Sequence, residues 1–232
     1  MTVTTTRVGQ AAGIATALAG AIFIAVQINH PAMDLASVST TDWVVRNGAK
    51  TLMAALALAG LTGLYLHQRA KVGLVGLVGY LVLSVGYLLM FGTEFLATFA
   101  LPTTAKTAPG WTNDVVVAAF GGTPTGDIGA LFVAFAATGL CYALGGLVFG
   151  IATFRAGLLA RWAAVLLAVG NVSTLALSVL PDSFNRPLAV PTGIALIGLG
   201  VSLWRAQRRE ATGTVPTATA PTAAPRAEAS AR

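Results

Sequence analysis

Polar residues come in short clusters along this chain. Between the clusters run apolar stretches of about 20 residues or more, the length a helix needs to cross a bilayer. Six such stretches are present, at about 8–28, 48–67, 72–99, 127–153, 158–180 and 188–206. Their breaks are chemically coherent. Asn29-His30-Pro31 ends the first, and His67-Gln68-Arg69-Ala70-Lys71 separates the second from the third. Arg155-Ala156-Gly157 ends the fourth, Pro181-Asp182 ends the fifth, and Pro187 and Pro191 open the sixth, where a helix tolerates proline. The pattern predicts an all-α polytopic bundle of six transmembrane helices over residues 1–210. The connection at 100–126 is long enough to form a lid. Within it, Asn113 to Phe120 reads as a short interfacial or re-entrant helix with Asn113 or Asp114 as N-cap. The segment 211–232 is Ala, Thr and Pro with a few charges and predicts a disordered tail.

Composition strengthens the membrane reading. Only 9% of the 232 residues are charged and 56% are apolar, whereas soluble domains carry about 25% charged residues. The net charge of +6 does not indicate a nucleic-acid partner, because the basic residues form no stripe and sit at segment ends and in the tail. They report orientation instead. With the N-terminus inside, the cytoplasmic side holds ten basic residues: Arg7, Arg69, Lys71, Arg155, Arg161, Arg205, Arg208, Arg209, Arg226 and Arg232. The other side holds Arg46, Lys50, Lys106 and Arg186. This bias predicts a multi-pass protein of the cell membrane with both termini cytoplasmic. The apolar run after Arg7 exceeds the roughly 7–15 residues of a cleavable signal core and predicts a retained first helix. Gly73, Gly76 and Gly79 recur at three-residue steps, and Gly146 and Gly150 form a GxxxG. Such faces let membrane helices approach closely, within one chain or between copies as a homo-oligomer.

Candidate chemistry centres on the third stretch. Tyr80, Ser84, Tyr87, Phe91, Glu94 and Thr98 are spaced by 4, 3, 4, 3 and 4 residues, which puts them on one helix face. An acid inside a span is a functional-site hypothesis. Glu94 lies about 33 Å beyond Val72 on an ideal helix, near the outer boundary of the roughly 30 Å hydrocarbon core. In the fourth stretch, Phe132, Phe135 and Tyr142 recur at helical spacing with Asp127 at the outer start. If the two stripes face each other they enclose an aromatic pocket with Glu94 as candidate acid and Asp127 or Asp114 as its partner. Tyr80, Tyr87, Phe91, Phe95, Phe132, Phe135 and Tyr142 would be its walls and Trp111 its lid. Asn171, Thr174, Ser178 and Asp182 share a face of the fifth helix and read mainly as helix-to-helix hydrogen bonders. His30 and His67 lie at opposite ends, and Cys141 is alone, so no metal site or cofactor is indicated. Walker A, HExxH and GxSxG motifs are absent.

The stretches from His67-Gln68-Arg69-Ala70-Lys71-Val72-Gly73 through Leu101-Pro102, and from Gly145 to Gly157, resemble a family of small bacterial six-span membrane proteins over about residues 8–206. In size, span count and intramembrane acids the chain is also similar to the small membrane-bound terpene cyclases of meroterpenoid and indole-sesquiterpenoid pathways. That resemblance implies metal-independent, protonation-initiated cyclisation of a lipophilic prenylated substrate. No residue is carried over from it. A neutral acid, aromatic faces for passing carbocations and a dry pocket are what such chemistry needs. The alternative expectation is a non-enzymatic membrane protein, either a small transporter or an accessory or sensory subunit with an outer binding loop.

Overall fold

The computed structural model describes residues 4–178 and 186–212, and every regular element among them is helical. Thr4 caps α1 (Thr5–Ala25) by accepting from Arg7 N, and Asp34 caps the single turn of α2 (Leu35–Val38) by accepting from Ser37 N. Thr40 caps α3 (Thr41–Phe99) by accepting from Trp43 N. Such side chains satisfy the first free N–H groups of a helix. Two shorter helices follow, α4 (Leu101–Thr107) and α5 (Pro109–Ala119). Then come α6 (Leu131–Ala156), α7 (Arg161–Ser173) with a 3-10 extension over Thr174–Ser178, and α8 (Ala189–Ala211).

The second and third apolar stretches are joined differently from the sequence expectation. The polar run 67–71 stays helical, and the chain turns at Gly73 alone, with φ 57° and ψ −155°. Side chains cannot adopt that backbone without strain, so glycine is required there. Contacts along α3 show that its two arms, 41–72 and 74–99, lie antiparallel. Trp43 Nε1 donates to Ala97 O at 2.9 Å, Lys50 meets Glu94, and Tyr65 stacks on Tyr80 with centroids 4.7 Å apart.

Other boundaries also move. The 100–126 segment holds two helices rather than one. Asn113 and Asp114 are interior to α5, because Pro109 starts that helix about one turn earlier. Gly129, with φ 61°, delays α6 to Leu131, and α7 tightens to 3-10 at Thr174. The tail from 213 on, and Asp182 with the end of the fifth stretch, lie outside the described residues.

Four of these helices, α1, α3, α6 and α8, are long and apolar enough to cross a membrane, and the shorter apolar stretch Arg161–Ala176 packs beside them. Their outward faces are apolar. On the second arm of α3, Leu74, Val78, Leu81, Val85, Leu88, Phe95 and Phe99 are all exposed at helical spacing. A contiguous apolar surface of this extent suits lipid, not water.

Inside, the helices approach through glycine. α1 packs on α8 and on the first arm of α3, α6 packs on α3 and α7, and α7 packs on α8. A Cβ at Gly13 would lie 2.7 Å from Gly200 O, and one at Gly79 would lie 2.5 Å from Phe149 N. Among the glycines singled out by spacing, Gly73 makes the turn, Gly79 admits α6, Gly146 admits the Asn171 side chain, and Gly150 admits α7. Asn171 is buried there, donating from Nδ2 to Tyr142 O at 3.0 Å and accepting at Oδ1 from Thr192. The large core runs through Leu61, Leu83, Phe149, Leu167 and Leu199. A second, smaller core of Val38, Trp43, Leu101, Val115, Val116 and Ile128 seals the end that carries α2, α4 and α5.

Candidate functional site

Between the two cores lies a cavity of about 780 Å³. It collects the last turns of α1, the first turns of α3, the end of the second α3 arm, the lid helices α4 and α5, the first half of α6, the 3-10 extension of α7, and the segment that leads into α8. Most of its lining is apolar, including Phe23, Trp43, Met53, Met90, Phe120 and Phe135. Lys50, Glu94 and Arg186 supply its charge.

The polar groups are chained together. Lys50 Nζ stands 3.8 Å from Glu94 Oε2, with the two side chains 11% and 21% exposed. Lys50 Nζ also donates to Asn47 Oδ1 at 3.1 Å, and Asn47 Nδ2 donates to Trp43 O at 2.9 Å. Thus Asn47 orients the ammonium, and Trp43 ties the start of α3 to Ala97, one turn beyond Glu94. Arg186 enters from the segment before α8 and donates to Gln27 Oε1 at 3.4 Å. Burial and then the neighbouring Arg46 lower its pKa, while Glu94 opposes them. The cavity therefore ends in two cations and one anion, a net positive tip beneath an apolar body.

The structure distributes the sequence-selected residues unevenly. Glu94, Phe135 and Tyr142 line the cavity. Tyr87 is fully buried behind Tyr142, their rings meeting edge-on at 5.6 Å, and neither hydroxyl finds a hydrogen-bond partner of good geometry among the described residues. Tyr80 faces the first α3 arm, where its hydroxyl meets Thr62 at 3.0 Å and its ring covers Tyr65. Phe91, partly buried against the large core, stacks with Phe95, and Phe95 meets Phe99 at a tilt on the exposed face of α3, where Phe95 is half exposed. Phe132, in the first turn of α6, is half exposed too. Trp111 packs into the lid core rather than the cavity.

The two other acids do loop work. Asp114 is buried in the lid and accepts at Oδ1 from Thr125 N at 2.9 Å and at Oδ2 from Gly126 N at 2.9 Å. Those backbone donors, Thr125 foremost, hold its carboxyl below the usual range. Asp127 accepts from Gly129 N at 2.7 Å and is exposed, which makes it the anchor of the turn before α6. Neither lines the cavity with Glu94. His30 lies near this end: its Nδ1 donates to Pro31 O at 3.0 Å, and burial lowers its pKa to about 4.

Sequence reasoning passed over Lys50, Asn47, Trp43 and Arg186 as site residues. A signal for Lys50 was available. Lys50 and Glu94 are equidistant from Val72, so an antiparallel hairpin turning at Gly73 brings them level. No group of three or more His, Cys, Asp or Glu side chains suited to a metal ion occurs among the described residues. No protein-family model, curated protein or solved structure matches the chain.

Proposed function

We propose that this chain is a six-pass protein of the cell membrane whose outer cavity holds a lipid-soluble amphiphile. Six passes follow if α1, both arms of α3, α6, α7 with its extension, and α8 each cross. The observation that carries the binding reading is the charged tip on an otherwise apolar cavity: Lys50, Glu94 and Arg186 converge beneath the lid while aromatic and aliphatic side chains line the rest. Pockets of this kind orient a ligand through a few polar groups and hold it by its apolar body. The ligand would place its polar or anionic end at Lys50 and Arg186 and its hydrocarbon against Met53, Met90 and Phe135. Gly139 lines the same cavity with open space around an added Cβ. Gly139→Trp should fill the space without disturbing the helix. In detergent extracts, small molecules bound to the parent protein and lost from Gly139→Trp, seen by native mass spectrometry, support the reading. Identical bound species in the two would remove it.

A second reading, a metal-independent cyclase of a prenylated substrate, is favoured by the presence of an acid and aromatic faces in one cavity. Trp43, Phe135 and Tyr142 line it and would stabilise carbocations by cation–π attraction. Because Glu94 is ion-paired, the proton would reside on the pair. Transfer from the Lys50 ammonium would give a neutral acid that protonates an alkene, and the neutral amine would take back the proton released when the final cation collapses. Glu94→Gln should abolish cyclised product in membranes supplied with a prenylated substrate. Retained product would end the cyclase reading while leaving the binding reading to the Gly139→Trp test.

A further inference from the structure

A second groove, of about 480 Å³, lies at the opposite end of the molecule between the start of α7 and α8 from Ile194 to Arg209. Its floor is built for close approach. A Cβ at Gly198 would lie 2.7 Å from Trp162 Cζ2, so glycine lets the indole lie flat against α8. Trp162 is nevertheless 58% exposed, and Ile194 and Leu158 are also exposed along the groove. Ala160 N donates to Ser202 Oγ at 3.0 Å, which pins the connection between α6 and α7 to α8 at mid-groove. At the far end stand Arg205 and Arg209, one helical turn apart and both exposed. Arg205 has no hydrogen-bond or ion-pair partner among the described residues. Among the described residues, no acidic one lines the groove.

Two cations above an exposed apolar channel match a phospholipid in both charge and length. The rise from Ile194 to Arg205 is about 16 Å on an ideal helix, and one leaflet contributes about half of a 30 Å hydrocarbon core. The end concerned is the one that gathers Arg69, Lys71, Arg155 and Arg161, at the α3 turn and at the facing termini of α6 and α7. Trp162 sits where tryptophan anchors a helix at the interface. We infer that this groove is a binding site for an anionic phospholipid, with its phosphate between Arg205 and Arg209 and an acyl chain along Ile194 and Val201 against Trp162.

The test measures lipid retained by the full chain after extraction from bilayers of phosphatidylcholine doped with phosphatidylglycerol, read by native mass spectrometry. The parent protein should keep phosphatidylglycerol in preference to phosphatidylcholine. The double variant Arg205→Gln/Arg209→Gln should lose that preference by about 25-fold, since each of the two basic side chains near a membrane surface contributes about a fivefold attraction. Arg69→Gln, at the same end but outside the groove, should keep it. Ala206→Trp should lose the preference with both charges intact, which keeps the test decisive if the double variant fails to assemble. Equal retention of the two lipids by the parent protein would overturn the inference. So would an unchanged preference in both groove variants. A parent dimer that becomes monomeric in the groove variants would also overturn it, because the groove would then hold a second copy of the chain.

Discussion

Lys50 and Glu94 illustrate how a single side-chain pair fixes the character of the cavity. Each charge is nearly out of water, and each is made tolerable by the other. Removing one partner from such a pair leaves an uncompensated charge, whereas removing both leaves an apolar wall. Lys50→Met or Glu94→Leu alone should therefore destabilise the protein by about 3 kcal/mol, and the double variant should recover most of the loss. Thermal unfolding of the four proteins in one detergent measures this. A double variant as weak as the sum of the singles would mean the pair does not act as a unit. His30 offers a prediction of opposite chemistry. Its imidazole is held neutral by burial, with its pKa lowered to about 4 from an ordinary 6.5. Between those values the unfolded chain binds a proton that the folded chain refuses, so stability rises with pH across that window and falls as the medium is acidified through it. The thermal midpoint should drop from pH 6.5 to pH 4, and His30→Gln should flatten that slope. An equally steep slope in His30→Gln would assign the acid sensitivity elsewhere.

At the scale of elements, the hairpin in α3 depends on one residue. Gly73 alone reverses the chain, at φ 57°, with nothing within 4 Å of an added Cβ. A substitution there is costly through backbone strain and not through crowding. Gly73→Ala should cost about 1–3 kcal/mol, measurable as a lowered midpoint in detergent, and Gly79→Ala should act through α6 backbone contact instead. If Gly73→Ala unfolds like the parent, the turn is not strained. The helices themselves were readable in the sequence because proline, glycine and polar clusters interrupt otherwise uniform apolar runs. The lid departs in detail from the sequence pattern. Pro109 and Gly110 look like a loop, yet proline is favoured in the first turn of a helix, and the segment starts α5 there. The site was half readable: the face carrying Glu94 follows from helical spacing alone. Its partner Lys50 depends on the register of the hairpin, which only the backbone at Gly73 sets. Phe95 and Phe132 show the converse limit, since an aromatic stripe has the same spacing whether it meets a neighbouring helix or lipid.

At the scale of the whole molecule, the two ends differ in chemistry. One end gathers Arg7, Arg69, Lys71, Arg155, Arg161, Arg205, Arg208 and Arg209, with Glu210 as the single described acid near His67. The other end holds the lid and the cavity, with Asp34, Asp42, Glu94, Asp114 and Asp127 among its charges. Basic residues in short connections are retained on the cytoplasmic side during insertion. The charge asymmetry therefore predicts an orientation with the cavity outward and the arginine-lined groove inward. Cys141 is the only cysteine, so a Cys141→Ala background allows single reporter cysteines to be placed at will. In intact cells, a membrane-impermeant maleimide should label Gly110→Cys, in the exposed first turn of α5, and should not label Arg208→Cys until the cells are opened. Labelling of Arg208→Cys in intact cells, with Gly110→Cys protected, would invert the molecule. An inverted molecule would expose the cavity to substrates made inside the cell and carry the groove to the outer leaflet, where the same two arginines would meet a different lipid population.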